Sequence, residues 1–228
     1  MIQLSAVIIT FNEEQNIARC LQSLQGVADE VVVVDSFSKD QTVALCKSFG
    51  AKVYSHAFEG HIQQKNYALT MASNDHVLSL DADEALDDSL KSEINAIKGH
   101  FTMDGYYLNR LTNYCGHWVR FCGWYPDRKL RLFDRRKGSW TGTNPHDRYA
   151  LHEGDDRSAR LRGNILHYSY YTLQDHYRQI EYFTSIAAEE LYRSNRKQAA
   201  AVYRFASPLI KFFKMYVFQL GFLDGWRG

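Results

Sequence analysis

An α/β architecture, a mostly parallel sheet flanked by helices, is the fold class that this 228-residue sequence predicts. Three observations carry it. Short β-branched apolar runs alternate with segments of helical periodicity through the first hundred residues. The runs end in polar or acidic residues, as strands do where a parallel sheet meets a ligand cleft. A hydrophobic content of 45% with 23% charged residues is enough for a full core and excludes disorder as the main state.

The elements follow in order. Residues 4–10 (LSAVIIT) form a buried strand ending at Phe11-Asn12-Glu13-Glu14, where Asn12 is expected to cap a helix with two acids in its first turn. Ile17, Leu21 and Leu24 keep helical spacing up to Gly26. Residues 30–35 (EVVVVD) form the second strand, and a polar loop leads to a helix stopped by Gly50. Residues 51–55 form the third strand, 62–72 the third helix and 76–80 (HVLSL) the fourth strand, followed by Asp81-Ala82-Asp83-Glu84 and a helix through about Ile97. Right-handed crossovers then place helices on both faces. After Thr172 the pattern is helical, with Ser207 and Pro208 expected to open a last helix over residues 209–222. That stretch, with Lys211 and Lys214, suits either packing on a core or lying in a membrane interface.

Several functions are disfavoured. Lys and Arg number 27 against 26 Asp and Glu, which argues against nucleic-acid binding through general basicity. No Gly-x-Gly-x-x-Gly and no P-loop follows the first strand, so a dinucleotide dehydrogenase and a P-loop NTPase are unexpected. Cys20, Cys46, Cys115 and Cys122 lack Cys-x-x-Cys spacing, and Cys115 and Cys122 with His117 make a weak zinc set. With no signal-like leader and no apolar run of spanning length, a cytoplasmic setting is expected, with peripheral contact on the cytoplasmic face of the inner membrane as the alternative use of the last helix.

Asp81 and Asp83, one residue apart at the end of an apolar strand, repel each other unless a cation sits nearby. A hard divalent ion, Mn²⁺ or Mg²⁺, fits such oxygen donors and would in turn hold a diphosphate. Asp35, ending the second strand, is placed to accept from a ribose hydroxyl or a base N–H.

The motifs Val7-Ile-Ile-Thr-Phe-Asn-Glu-Glu14, Val32-Val-Val-Asp-Ser-Phe-Ser-Lys-Asp40, Gln64-Lys-Asn66 and Leu80-Asp-Ala-Asp-Glu84 resemble, in this order, the inverting family 2 glycosyltransferases of GT-A (Rossmann-like) fold. Within them the chain looks most like the lipopolysaccharide core β-glucosyltransferase group, which ends in a segment like Phe218 to Gly225. The resemblance implies a catalytic domain over residues 1–170, divided into a nucleotide-binding half (1–100) and an acceptor half (101–170), and a C-terminal helical extension over 171–228. It implies a nucleotide-sugar donor, expected to be UDP-linked, and a glycan or glycolipid acceptor of the cell envelope. Thr10, Asn12, Glu13 and Asp35 would line the nucleoside pocket, with Lys65 near base and phosphate. Asp81 would face ribose or metal, and Asp83 would be the principal metal ligand with His167 completing the site.

Residues 105–133 are dense in aromatic and basic side chains, of which Trp124 and Arg131 are the strongest contact candidates. Trp140-Thr-Gly-Thr-Asn-Pro-His-Asp147 resembles the element that precedes the family's base, so Asp147 is the expected base, with His146 as the alternative. Two other readings stand beside the transferase: a nucleotidyltransferase, disfavoured by the acidic, Gly-free loop after the first strand, and an inactive sugar-nucleotide-binding module.

Overall fold

The structure is a computed structural model of the chain and describes residues 1–143, 146–193 and 201–228. Its first half builds the expected alternation. The elements are β1 (Leu4–Thr10), α1 (Ile17–Leu24), β2 (Glu30–Asp35), α2 (Thr42–Ser48), β3 (Lys52–Ser55), α3 (His61–Met71) and β4 (His76–Asp81). β1 pairs in parallel with β2 and with β4, and β2 with β3. β-Branched runs such as Val31–Val34 suit strands buried on both faces, and their ends fall within a residue or two of expectation.

The remaining elements are β5 (Glu84–Leu86), α4 (Asp88–Gly99), β6 (Gly105–Tyr114), β7 (His117–Val119), β8 (Asp127–Asp134), β9 (Gly138–Thr143), β10 (His146–Leu151), β11 (Ser158–Tyr170), α5 (Leu173–Arg193) and α6 (Ala201–Phe213). The sheet order is β3-β2-β1-β4-β8-β6-β11-β5, with β7 on β6, while β9 and β10 form a separate antiparallel ribbon. β8 runs antiparallel to both β4 and β6, so the sheet is parallel only in its first half. One apolar cluster packs α1 and α4 under the sheet through Ile17, Leu24, Leu90 and Ile94. A second, on the other face, joins Ala68 and Leu69 of α3 to Trp140 and Tyr149 of the ribbon.

The chain divides into two compact units, residues 1–110 with 127–167, and residues 111–126 with 168–228. Within the second unit the buried Asp224 carboxylate accepts from the Arg120 and Phe121 backbone N–H groups, at 3.0 and 2.7 Å, and faces His117 Nε2 at 3.2 Å. The Phe-Leu-Asp-Gly segment is thus a clasp on β7 and the turn that follows it.

Three expectations are corrected. Asn12 does not cap a helix: α1 begins five residues later, because Asn12 takes a left-handed backbone (φ 53°) and its Oδ1 accepts from the Lys39 N–H. Pro208 lies inside α6 rather than at its start, its missing N–H removing a single helical hydrogen bond. The expected helix over 209–222 breaks: α6 gives way to a π-helical turn (Lys214–Phe218), Leu220 turns left-handed (φ 57°), and a 3₁₀ segment follows. β5 was not expected at all.

At the opposite end of the sheet from the strand termini that carry Asp35 and Asp81, Glu30 ties three segments. Its carboxylate accepts from the Ser73 N–H at 2.8 Å, from the Ser5 and Ser73 hydroxyls, and from Lys52. Burial raises its pKa, but these donors outweigh burial and hold it at about 2. A carboxyl depressed on folding stabilises fully above its unfolded pKa and loses that contribution as pH falls towards the folded value. Glu30→Gln is expected to cost about 1–2 kcal/mol at pH 7 in urea denaturation. The difference from wild type should shrink as pH falls from about 4.5 towards 2.

Candidate active site

The site is assembled where β1, β2 and β4 end. Two loops lock together there by reciprocal bonds. Asn12 N donates to Ser38 Oγ (2.8 Å), Glu13 N to Thr42 Oγ1 (2.8 Å) and Glu14 N to Asp40 Oδ2 (3.1 Å), while Gln41 N donates back to Glu14 Oε2 (2.9 Å). The segment that sequence alone assigns to a helix start is therefore crosslinked to the loop after β2 by its backbone N–H groups and the Glu14 carboxylate, while the Glu13 carboxylate accepts from Asn16 Nδ2 at 2.8 Å. Asp35 accepts from the Ser38 N–H and hydroxyl, which fixes the same turn. Thr10 is buried, and its Oγ1 has no hydrogen-bond partner among the described residues. Burial, and secondarily the nearby Asp83, Asp40 and Asp81, push Glu13 up to about 6 against an opposing bond from Asn16.

Beside these loops lies a buried charge cluster. Lys65, on α3, is 4% exposed and bridges two carboxylates: Nζ is 3.0 Å from Asp81 Oδ1 and 2.8 Å from Asp147 Oδ2. Arg131, on β8, places Nη2 2.8 Å from Asp81 Oδ2 and 3.3 Å from Glu84 Oε1. Glu84 is fully buried, and its Oε2 accepts from the Asp81 N–H at 2.9 Å. The Trp140 ring lies 4.5 Å from the Lys65 ammonium and 5.4 Å from the Arg131 guanidinium, adding a π-face to both cations. Burial raises the Asp81 carboxyl, but Arg131 and Lys65 prevail and hold it well below the usual range. The same carboxylates hold Arg131 protonated against its burial.

Asp83 points elsewhere. Its Oδ2 lies 3.1 Å from Nε2 of His167 on β11. Burial opposes ionisation of both, yet each stabilises the other's charge: Asp83 is lowered and His167 raised. Among the described residues no three His, Cys, Asp or Glu side chains group as a metal set. The pair itself suits a divalent ion, since neighbouring corners of an octahedron with ligand bonds of about 2.1 Å stand about 3 Å apart.

Asp147 lies in a cleft of about 490 Å³, in the size range of small-ligand sites, which Lys65, Asp81, Arg131 and His146 also line. Only Oδ2 of Asp147 is taken, by Lys65; Oδ1 has no partner among the described residues. His146 is exposed at the start of β10. Trp124 belongs to the second unit, where it packs edge-on against Tyr114. Asn144 and Pro145, in the element before Asp147, lie outside the described residues. Sequence reasoning gave no individual role to Glu84 or Trp140, and counted Arg110 only among the basic residues of the 105–133 stretch. The only available signal was Glu84, an acid next to the Asp-x-Asp pair with a β-strand pattern behind it.

Residues 5–153 match the family model described as Glycosyl transferase family 2. An uncharacterized glycosyltransferase of Rickettsia typhi is 31% identical over 238 residues, spanning 100% of this chain and 81% of the relative. The lipopolysaccharide core biosynthesis glycosyltransferase LpsC of Rhizobium meliloti is 28% identical over 236 residues, 98% of this chain and 83% of the relative. The crystal structure of S. aureus TarS 1–349 in complex with UDP-GlcNAc is similar with a TM-score of 0.41 and 26% identity, covering 49% of this chain and 35% of that one.

Removing Arg131 leaves the buried Glu84 and the half-buried Asp81 as charges with reduced compensation. Arg131→Met is expected to destabilise the protein by about 3–5 kcal/mol in urea denaturation. A loss under about 1 kcal/mol would show that Arg110, 3.8 Å from Glu84, takes over.

Proposed function

The chain belongs to glycosyl transferase family 2 and is a glycosyltransferase, and we propose that it is an inverting, metal-dependent enzyme that moves a sugar from a UDP-linked donor to a cell-envelope glycan or glycolipid. One observation carries the mechanism: Lys65 holds Asp147, 82 residues away in sequence, in the cleft at the strand ends with one carboxylate oxygen uncommitted. In this reading Oδ1 of Asp147 takes the proton of the acceptor hydroxyl as its oxygen attacks the anomeric carbon. The bond from that carbon to the diphosphate breaks, and the electron pair leaves with the diphosphate. Lys65 is a positioning residue that orients the carboxylate, as a third group orients a base in a catalytic triad.

Thr10, with its buried unpartnered hydroxyl, and the loops carrying Asn12, Glu13 and Asp35 form the nucleoside wall. Asp83 and His167 would hold Mn²⁺ or Mg²⁺. Bound there, the ion supplies positive charge against the departing diphosphate. Asp81, tied to Lys65 and Arg131, sets the floor between base and donor. The envelope assignment draws support from the lipopolysaccharide core role in the name of the Rhizobium meliloti relative. The uridine rests on the family likeness of the motifs.

Contact with a membrane surface is part of the proposal. No helix among the described residues is long and apolar enough to cross a membrane. The second unit nonetheless exposes Leu209, Ile210, Phe212, Phe213, Phe218 and Trp226, the last two at 81% and 67%, close in sequence to Lys211 and Lys214. Apolar side chains beside lysines suit an anionic bilayer interface.

Three experiments follow. UDP with Mn²⁺ should raise the melting temperature and EDTA should abolish the gain, since a ligand at a hundred times its Kd adds about 2.7 kcal/mol. Asp147→Asn should keep that gain yet turn over at least roughly 10²-fold more slowly; near-wild-type turnover would move the base to His146. Flotation with vesicles containing anionic phosphatidylglycerol should carry the protein at low salt, and Phe212→Ser/Phe218→Ser should reduce it; no flotation would assign the apolar residues to packing.

A further inference from the structure

The cleft around Asp147 is much more basic than the chain. The formal net charge of the whole is +1, yet the cleft walls carry Lys65, Arg110, Arg128, Lys129, Arg131 and Arg148 against Asp81 and Asp147. Internal pairs absorb most of the excess. Asp127 takes Arg110 at 2.6 Å and Lys129 at 3.3 Å. Asp81, Glu84 and Asp147 take Lys65 and Arg131. Arg128 and Arg148 remain: both are exposed, and neither has a carboxylate within ion-pair distance among the described residues. Tyr107 lines the same cleft, and its hydroxyl donates to Asp155 Oδ2 at 2.8 Å. Arg148 follows Asp147 on β10, so its side chain leaves the opposite face of the strand while still lining the cleft. Arg128 sits on β8 three residues before Arg131, where β8 has run past the carboxyl end of β4.

We infer that Arg128 and Arg148 form an anion subsite for the acceptor, so that the glycan presented to Asp147 is an anionic saccharide bearing a phosphate or a carboxylate. The inference rests on the transferase reading and deepens it by naming the class of acceptor. Guanidinium groups bind either anion through paired N–H donors and stay charged at any working pH. Two arginines with no ion-pair partner among the described residues, lining the cleft that holds Asp147, attract an anionic sugar into it, while a neutral glycan offers them no charge. The donor diphosphate is accounted for separately, by the ion that Asp83 and His167 would hold.

The test uses the full chain with UDP and Mn²⁺ at saturation, so that the donor site is filled. Mannose 6-phosphate, glucuronate and mannose are titrated, with parallel samples lacking nucleotide, and binding is read by NMR shift perturbation. The anionic sugars should bind at least roughly tenfold more tightly than mannose, and Arg128→Gln/Arg148→Gln should remove that advantage without altering the weak binding of mannose. The ranking of mannose 6-phosphate against glucuronate identifies the anion as phosphate or carboxylate. The inference is overturned if the anionic sugars bind no better than mannose, if their advantage survives the double substitution, or if UDP abolishes it, which would give the arginines to the donor. UDP binding is recorded in the same samples: its absence would refute the transferase reading itself, whereas UDP binding without anion selectivity would refute only the subsite.

Discussion

Lys65 is the interaction on which the site depends. Its ammonium is almost fully buried between Asp81 and Asp147, and the only way to keep a charge there is to surround it with opposite charge and a π-face. Arg131 repeats the arrangement between Asp81 and Glu84. The outcome is a lattice of two cations and three carboxylates drawn from α3, β4, β5, β8 and β10. Such a lattice is a weak source of stability, since desolvation offsets much of its Coulomb energy. Its value is geometric. Every member constrains the others, so Asp147 is aimed with one oxygen spoken for and one uncommitted.

The fold makes this possible by changing strand direction at β4. The parallel half delivers loops to one edge, where those after β1 and β2 crosslink into a rigid wall. β8 then enters antiparallel beside β4, which brings Arg131 from a distant part of the chain alongside Asp81. β5 pairs with β11 in the register that sets His167 opposite Glu84, next in sequence to Asp83. In the proposed reading, donor chemistry and acceptor chemistry meet at the seam between the parallel and antiparallel halves of one sheet.

The parallel half was legible because its signals are local. A run such as EVVVVD admits few conformations, and Gly26 and Gly50 take the left-handed backbone that ends a helix. Asp81, Asp83, Lys65, Arg131 and Asp147 were each identifiable as charged residues at strand ends or in motifs. Their partnerships were not, because pairings across 50 or 82 residues leave no periodicity. The same cause misled the reading of Asn12. Its short amide suits a helix cap, but a bond to Lys39, 27 residues on, takes the side chain first. Glu84 went unassigned because a lone acid after Asp-x-Asp reads as a turn, and its bonds to the Asp81 N–H and to Arg131 exist only in the fold. The last helix failed for a backbone reason, Leu220 in a left-handed conformation that hydropathy does not encode.

The most direct test of the central claim is a crystal structure of the protein with UDP and manganese. The account predicts manganese bonded to Asp83 and His167, the nucleoside against Thr10 and Asp35, and Lys65 still joining Asp81 to Asp147 with Oδ1 facing the cleft. A nucleotide seated away from the ends of β1, β2 and β4, or an Asp147 turned out of the cleft with Lys65 bound to the diphosphate instead, would contradict it.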